Sequence, residues 1–452
     1  MNGHQSAPRR QNVWWQILLL FVLLLPLILL FTMPRFRSSN EMMVIFTLIL
    51  IANLVLLWLA TRRRSQAPAN AAPPIIPRML DPSEIPASID EILDVKEAAV
   101  DGDLLIFRGK LRENPEAAFE HLKHEYAGRA TPLLQEDPLY GHAIFLGPDI
   151  ARPAAEDRPI RPALHWALFA LTLLTTCAAG ATQEGADVLR NPRSLVVGLP
   201  YAIALMSILG FHELGHYFTA RHYQIRVTPP FFIPVPFALG TFGAFIQMRS
   251  APEDRRSLFD VAVAGPFAGL VLAIPALVIG LKHSTIVPEG SVSGAISFGF
   301  IDSSILLRTI EKLSVGSRLM DGDLRFSPLA FAGLLGLLVT ALNLLPIGQL
   351  DGGHIARSMF GTRTGGWISQ VFMFGLFLAA FFNPQYLFWA LIVFFIARRV
   401  APPMNDVTRI GAGRMWLGIL AFVILALILL PMPEALWNAL NGHHAEPETL
   451  TI

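Results

Sequence analysis

Cysteine is almost missing from this chain of 452 residues, which contains Cys177 alone. One thiol cannot form a disulfide within the chain, and it cannot supply the several sulfur ligands of a cysteine-based zinc site. Charged residues are also scarce, at 15% of the chain, and they nearly cancel to a formal net charge of +1. The chain therefore has no excess of basic residues that would indicate nucleic acid as a partner.

The chain is instead rich in hydrophobic residues. Hydrophobic residues make up 53% of it and the mean hydropathy is +0.50, values typical of a polytopic membrane protein. We expect an all-α membrane protein with about nine transmembrane helices, a small soluble α+β module and a re-entrant, β-like loop near the active site. The two short spans around Asn383 could instead form one re-entrant hairpin. The proposed spans are Val13–Thr32, Met42–Ala60, Pro162–Ala181, Leu195–Tyr223, Leu258–Leu281, Pro328–Pro346, Trp367–Phe382, Tyr386–Ala397 and Met415–Leu430.

These segments divide the chain into four parts. Residues 1–64 are expected to form a transmembrane hairpin, uncleaved because no small-residue cleavage site follows the first span. The proline-rich residues 65–88 are expected to be a flexible linker, residues 89–160 the soluble module, and residues 161–452 the membrane domain. Within the module the pattern predicts a strand, a helix and a strand pair: Asp103–Leu111, Asn114–Tyr126, and Thr131–Glu136 with Gly141–Leu146.

An H-E-x-x-H motif lies inside the Leu195–Tyr223 span. On a helix, His212 and His216 project from one face, one turn apart. That spacing suits two nitrogen ligands of one tetrahedral Zn²⁺, and it leaves Glu213 beside the metal as a base for a water molecule. The motif can arise by chance in a soluble helix, but ionisable side chains at membrane depth indicate a functional site.

A hydrolytic zinc needs a third protein ligand, and Asp351 is the plausible donor. It follows Pro346 in N-L-L-P-I-G-Q-L-D-G-G, where the proline and the glycine pair must interrupt the helix. The span topology brings Asp351 and His216 toward the same side of the membrane. A helix-capping or loop aspartate is the alternative interpretation of this residue.

These two motifs resemble those of the site-2 protease family of intramembrane zinc metalloproteases. G-T-F-G-A-F-I-Q-M-R-S at 240–250 and S-P-L-A-F-A-G-L-L-G at 327–336 are similar to one branch, the plastid and cyanobacterial ethylene-dependent gravitropism-deficient and yellow-green type. The resemblance implies a protease that cuts transmembrane segments and holds one zinc per chain. It implies His212, His216 and Asp351 as ligands and Glu213 as the catalytic base, and none of the four departs from the pattern.

The stretch after the motif is a candidate for substrate binding. Four prolines between Pro229 and Pro236 forbid a continuous helix, and Gly240–Arg249 alternates as a strand does. An exposed strand edge there, including Gly240 and Gly243, could take up an unwound substrate by β-augmentation. A re-entrant loop that only plugs the helix bundle is the alternative. Asn343 could bind substrate backbone, or it could hold neighbouring helices together.

The predicted function is therefore hydrolysis of peptide bonds in or near transmembrane segments. The alternative is a catalytically silent scaffold or an ion transporter, although the matched internal repeats of many transporters are not found. The expected partners are a transmembrane protein substrate and the lipid bilayer, with no nucleic acid and the oligomeric state left open. Arginines in the short loops favour a multi-pass protein of the bacterial cytoplasmic (inner) membrane, with its N-terminus and soluble module in the cytoplasm.

Overall fold

The computed structural model describes residues 78–148, 159–236, 239–288, 303–316, 323–382, 385–396, 402–433 and 435–437. The chain divides into two units, residues 1–75 and 76–452, and everything described belongs to the second. The predicted hairpin at 1–64 lies outside the described residues, as does the predicted linker up to residue 77. Both therefore stay predictions.

The described residues form ten α-helices, two of which are led by 3-10 turns at Pro82–Glu84 and Pro192–Gly198. The helices are α1 (Ala87–Ile92), α2 (Pro115–Glu125), α3 (Pro162–Gln183), α4 (Leu199–His222), α5 (Arg255–Lys282), α6 (Ile305–Val315), α7 (Pro328–Leu344), α8 (Asp351–Phe382), α9 (Gln385–Ile396) and α10 (Ala412–Leu429).

Four of these helices are long and apolar enough to cross a membrane: α3, α4 with its leading 3-10 turn, α5 and α10. Helix α7 is apolar but has only 17 residues. The expected count of about nine spans is therefore not confirmed. Two expected spans lie outside the described residues, and the two beside Asn383 correspond to the second part of α8 and to the 12-residue α9.

Helix α8 is interrupted at Gly361, whose φ of 86° and ψ of 161° are not helical. The chain turns back there, because a Cβ added at Gly365 would lie 2.7 Å from the Cα of Arg357. The Ser369 hydroxyl, farther along, accepts a hydrogen bond from the Gly348 N–H at 2.7 Å. The segment from Asp351 to Phe360 therefore runs from the metal motif to this break, and the rest of α8 runs back alongside it.

Helices α4, α5 and α7 form the centre of the membrane part around one apolar cluster, which includes Leu205, Phe259 and Leu334. Two glycines allow α5 and α7 to approach closely. A Cβ at Gly280 would lie 2.1 Å from the Ala330 nitrogen, and one at Gly333 would lie 2.5 Å from the Leu277 nitrogen. Small residues at such crossings are typical of helix packing in membranes.

The soluble module is a five-stranded antiparallel sheet with the strand order β1-β2-β3-β5-β4. Its strands are β1 (Arg78–Met79), β2 (Leu93–Asp101), β3 (Leu104–Leu111), β4 (Thr131–Asp137) and β5 (Gly141–Gly147). Phe107, Leu122 and Ile144 are fully buried between the sheet and helices α1 and α2. Asn114 caps α2 by accepting the Glu116 N–H at 3.0 Å.

The three predicted strands and the predicted helix lie within a residue or two of β3, α2, β4 and β5. Strand β2 was not predicted, because L-D-V-K-E-A-A-V-D mixes charged residues and alanines that have low strand propensity. The sheet also begins at Arg78, inside the segment expected to be a linker, since Arg78 and Met79 pair with Val100 and Ala99.

Two short two-stranded sheets complete the described structure. Strands β6 (Phe231–Pro234) and β7 (Thr241–Phe245) pair in the stretch expected to be strand-like, although β7 is shorter than Gly240–Arg249. An isolated bridge between Val227 and Met248 extends the pairing beyond them. Strands β8 (Thr285–Val287) and β9 (Asp323–Arg325) pair antiparallel in a second two-stranded sheet, with α6 between them in the chain.

The module core gives the first testable prediction. Phe107→Ala removes a fully buried ring, which costs about 3–5 kcal/mol in comparable cores. Limited proteolysis of the full chain should then cut within residues 93–147 at protease levels that leave the wild type intact. Leu139→Ala is the matched control, since Leu139 is 80% exposed in the β4–β5 turn. Equal resistance of the Phe107 variant and the wild type would contradict this core.

Candidate metal centre

Helix α4 carries both histidines of the H-E-x-x-H motif. His212 and His216 are 3% and 7% exposed, so both imidazoles are buried among the helices rather than facing lipid or water. Their Nε2 atoms lie 3.2 Å apart. The helical spacing expected from the sequence therefore directs both rings at one point.

Asp351 reaches the same point from the first residue of α8. Helix α7 ends at Leu344, and the turn through Pro346 redirects the chain into α8. Gly352 permits this close turn, since a Cβ there would lie 1.9 Å from the Leu344 carbonyl oxygen. Asp351 Oδ2 lies 3.3 Å from His212 Nε2 and 3.3 Å from His216 Nε2.

The three side-chain atoms form a nearly equilateral triangle with sides of 3.2, 3.3 and 3.3 Å. In a tetrahedral zinc site with ligand bonds of about 2.0–2.1 Å, neighbouring ligand atoms are separated by about 3.3 Å. The triangle thus has the size of one face of a zinc coordination tetrahedron. Among the described residues, these three are the group of His, Asp, Glu and Cys side chains that could hold a metal ion.

Helix α5 fixes the orientation of His216. The His216 Nδ1 donates to the carbonyl oxygen of Val261 at 2.7 Å, which leaves Nε2 with its lone pair facing His212 and Asp351. The ring fits because residue 265 is glycine: a Cβ there would lie 2.1 Å from His216 Nε2. A Cβ at Gly269 would lie 3.3 Å from His212 Nδ1. The A-G-P-F-A-G stretch at 264–269 of α5 therefore forms a wall of the site.

Glu213 and Asn343 lie at the edge of the triangle. Glu213 is 6% exposed, and the backbone amide of Ile246, just after β7, faces its carboxylate. Asn343 Nδ2 lies 3.1 Å from His212 Nε2, near the end of α7. The site therefore combines the three convergent atoms with the Glu213 carboxylate, the Asn343 side-chain amide and the Ile246 backbone amide. Four segments of the chain contribute them: α4, α7, the start of α8 and the residue after β7.

Gly240 and Gly243 do not line the triangle itself. Gly240 has a φ of +80° and packs on α3, where Thr175 Oγ1 donates to its carbonyl oxygen at 2.7 Å. Gly243 has a φ of +102°, and a Cβ there would meet nothing within 4 Å. Both shape the β6–β7 hairpin, and its connection to the site runs through Ile246 and Glu213.

Two features of the site were not visible in the sequence. The Val261 carbonyl that accepts from His216 is a backbone group, so no side-chain pattern marks it. The role of Ile246 is likewise carried by its amide. His354 is a buried residue of α8, one turn beyond Asp351, and its imidazole is not among the three convergent groups.

Residues 200–381, which contain both motifs and the hairpin between them, match the model of peptidase family M50. No solved structure gives a significant match.

Several curated plant proteins are similar to the chain over longer stretches. "Probable zinc metalloprotease EGY2, chloroplastic" of Arabidopsis thaliana is 29% identical over 347 residues, 73% of this chain and 61% of the relative. The corresponding EGY1 protein of Arabidopsis thaliana is 28% identical over 412 residues, covering 80% and 73%. EGY1 of Oryza sativa subsp. japonica is 34% identical over 250 residues, covering 54% and 41%.

The chain thus spans between about two fifths and three quarters of the length of these relatives. All three are named as chloroplastic, so they do not support the expected bacterial cytoplasmic membrane. The apolar helices agree with an integral membrane protein. The chain is thus similar to peptidase family M50 over residues 200–381 and to the EGY zinc metalloproteases over longer stretches.

Proposed function

We propose that the chain is an intramembrane zinc metalloprotease that hydrolyses peptide bonds in or near transmembrane segments of other proteins. The observation that carries the proposal is the 3.2–3.3 Å triangle of His212, His216 and Asp351, buried between apolar helices. The match of residues 200–381 to a peptidase family and the similarity to relatives named as zinc metalloproteases support it.

The donor set fits one zinc ion per chain. His212 and His216 would hold it through Nε2 and Asp351 through Oδ2, which leaves one position of a tetrahedron for water or substrate. Bound there, zinc would polarise a peptide carbonyl and lower the pKa of a water molecule. Val261 and Gly265 hold the His216 ring in the orientation that this role needs.

Glu213 would act as the general base and acid. Its carboxylate is next to the histidines in sequence and is buried beside them, so it can take a proton from the attacking water and give it to the leaving amine. The Ile246 amide facing this carboxylate fixes its position. Asn343, at the rim, can donate to the carbonyl of a bound peptide through its amide group.

A transmembrane substrate must first be unwound, because a helix hides its carbonyls in internal hydrogen bonds. Strand β7 supports a way of holding the unwound segment. In the described structure it pairs with β6 along one edge, and its end leads directly to the amide that faces Glu213. A substrate strand added to its other edge would run past the metal site, and Gly240 and Gly243 shape that edge.

We further propose the finer organisation expected from the sequence. It comprises an N-terminal hairpin at 1–64, a linker that ends before Arg78, a soluble module from Arg78 to residue 160 and a membrane protease domain at 161–452, with about nine spans in all. The arginines of the loops at one membrane side support placing the module and the N-terminus on the cytoplasmic side. The partners would be a transmembrane protein substrate and lipid.

A non-proteolytic scaffold or transporter of the same fold is the alternative, and no observation favours it. A transporter would keep its activity when Glu213 is neutralised, because only a hydrolase needs that proton acceptor. A silent relative would lack Glu213 or a ligand, and all four residues are present.

Glu213→Gln separates these functions. The amide cannot accept the proton, so cleavage of a membrane substrate should fall by at least about 100-fold, while metal analysis still finds about one zinc per chain. Asp351→Asn and His212→Ala should instead lose zinc and activity together.

Comparing membrane proteomes of wild-type and Glu213→Gln cells would identify the substrate as a protein that accumulates uncut. Full cleavage by the Glu213→Gln protein would refute the hydrolytic proposal.

Gly265→Ala tests the wall beside His216. The added methyl would lie 2.1 Å from His216 Nε2, so the ring must move and zinc affinity should fall by about 10-fold or more. Gly375→Ala is the matched control in α8, since a Cβ there meets nothing within 4 Å. Competition with a chelator measures the zinc affinity of both variants. Equal zinc affinity of the two variants would show that the wall does not hold the ring.

Gly243→Pro tests the substrate strand. Proline cannot adopt the positive φ at this position, so the edge of β7 should be distorted and cleavage should decrease while zinc content stays normal. Gly185→Pro, at another positive-φ glycine with open space around it, controls for general strain. Unchanged cleavage by the Gly243 variant would leave the hairpin as a plug of the bundle.

A further inference from the structure

The soluble module is joined to the membrane helices through its edge strand. The Leu134 N–H of β4 donates to the Met404 carbonyl at 2.7 Å, and the Asp406 N–H donates back to the Leu134 carbonyl at 2.8 Å. The segment before α10 therefore continues the sheet by one short strand. Backbone bonds of this kind fix the docking position rather than only attracting the two parts.

One arginine lies buried at this junction. Arg255, the first residue of α5, has a side chain that is 4% exposed. Its Nε donates to Asp406 Oδ1 at 2.9 Å, and its Nη2 donates to Glu136 Oε1 at 3.1 Å. A buried guanidinium needs such partners, and here they come from the module and from the segment docked on it.

The same guanidinium lies against the break in α8. A Cβ at Gly361 would lie 2.8 Å from Arg255 Nη2 and 3.3 Å from its Cζ. Gly361 has a φ of +86°, which glycine adopts readily, so the break and the arginine fit each other. Arg255 therefore contacts the module, the Asp406 segment and α8, and it belongs itself to α5.

Helices α5 and α8 connect this contact to the candidate metal centre. Ten residues separate Arg255 from Gly265, and ten separate Gly361 from Asp351, which is about 15 Å in each helix at 1.5 Å per residue. The His216 acceptor, Val261, lies on the way along α5. One side chain thus joins the N-terminus of α5 to the Gly361 break of α8, and these two helices position His216 and Asp351.

We propose that Arg255 is a positioning residue for the metal centre, coupling the docked module to the distance between Asp351 and the two histidines. The inference rests on the proposed function in taking that triangle as the zinc site. With the guanidinium paired, the N-terminus of α5 and the Gly361 break of α8 are held together, and the 3.3 Å separations between Asp351 and the two histidines packed on α5 are kept. Without it, the module and the break in α8 lose their common anchor.

Two exposed ion pairs cross the same junction and provide controls. Arg256 donates to both oxygens of Glu116 at 2.9 and 3.1 Å, and Lys123 Nζ lies 2.5 Å from Glu253 Oε1. The bond to Glu253 raises the pKa of Lys123. Exposed pairs of this kind contribute little, and neither pair includes a residue of α8. They cross the boundary without joining the two helices.

The test uses the full chain, purified in lipid nanodiscs, with Arg255→Gln and Asp406→Asn beside Arg256→Gln. Chelator competition measures the zinc dissociation constant, and the visible absorption of the cobalt-substituted protein reports ligand geometry. The proposal predicts a dissociation constant raised about 10- to 100-fold in the first two variants, with an altered cobalt spectrum. Where a cleavage assay exists, kcat should fall while KM stays the same. The Arg256 variant should match the wild type in every measurement.

A milder variant and a measurement on the wild type keep the test valid if Arg255→Gln or Asp406→Asn fails to fold. Glu136→Gln keeps Asp406 as a partner for Arg255, so it should fold and show a smaller loss of zinc affinity in the same direction. Coupling is reciprocal, so removing zinc from the wild type should speed hydrogen exchange at the Leu134 and Asp406 amides. If Arg255→Gln and Asp406→Asn do not fold, the Glu136 variant and the exchange measurement decide.

Wild-type zinc affinity and cobalt spectrum in the folded variants would overturn the proposal, and so would exchange rates that do not respond to zinc. Failure of the proposed protease function gives a different pattern. In that case the Arg255 effect on metal affinity persists, but neither the wild type nor any variant cleaves a membrane substrate.

Discussion

The structure depends on bringing two imidazole nitrogens and one carboxylate oxygen to within 3.3 Å of each other inside an apolar bundle. Burying ionisable groups among membrane helices costs free energy unless they are paired or bind a cation. The lone pairs of the three atoms converge, so a single divalent cation compensates all of them at once. Every other feature of the site serves to hold this convergence.

Close helix approach is what makes the convergence possible. Glycines at 265 and 269 give α5 the flat surface on which the two histidine rings lie, and Gly352 lets α8 begin directly beneath the end of α7. Glycines at 280 and 333 bring α5 and α7 together farther along. A larger residue at 265, 269 or 352 would push against His216, His212 or the turn before Asp351, and one at 280 or 333 would separate α5 from α7. The small residues of the bundle are therefore a requirement of the site and not only of packing.

Much of this arrangement could be predicted from the sequence, for physical reasons. The span boundaries at Pro162, Pro328 and Met415 follow from runs of apolar residues, and the observed helices begin within a few residues of them. The i, i+4 spacing of His212 and His216 fixes their common face. The pairing with Asp351 followed from two motifs whose residue types suit one metal, together with the orientation of the spans.

Other elements depend on contacts that local sequence does not encode. Strand β2 forms because β1 and β3 pair with it on both sides, despite its charged residues. The reversal at Gly361 depends on a tertiary fit against Arg255, while the sequence there reads only as a glycine between helical segments. The docking of β4 on residues 404–406 joins segments about 270 residues apart through backbone atoms. None of these leaves a periodic signal.

Zinc X-ray absorption spectroscopy on the purified full chain tests the central claim most directly. The account predicts one zinc per chain with about four nitrogen and oxygen neighbours near 2.0–2.1 Å, and with the outer-shell scattering of two imidazoles. A metal-free protein after purification with zinc present, a sulfur neighbour, or scattering from fewer than two imidazoles would contradict it.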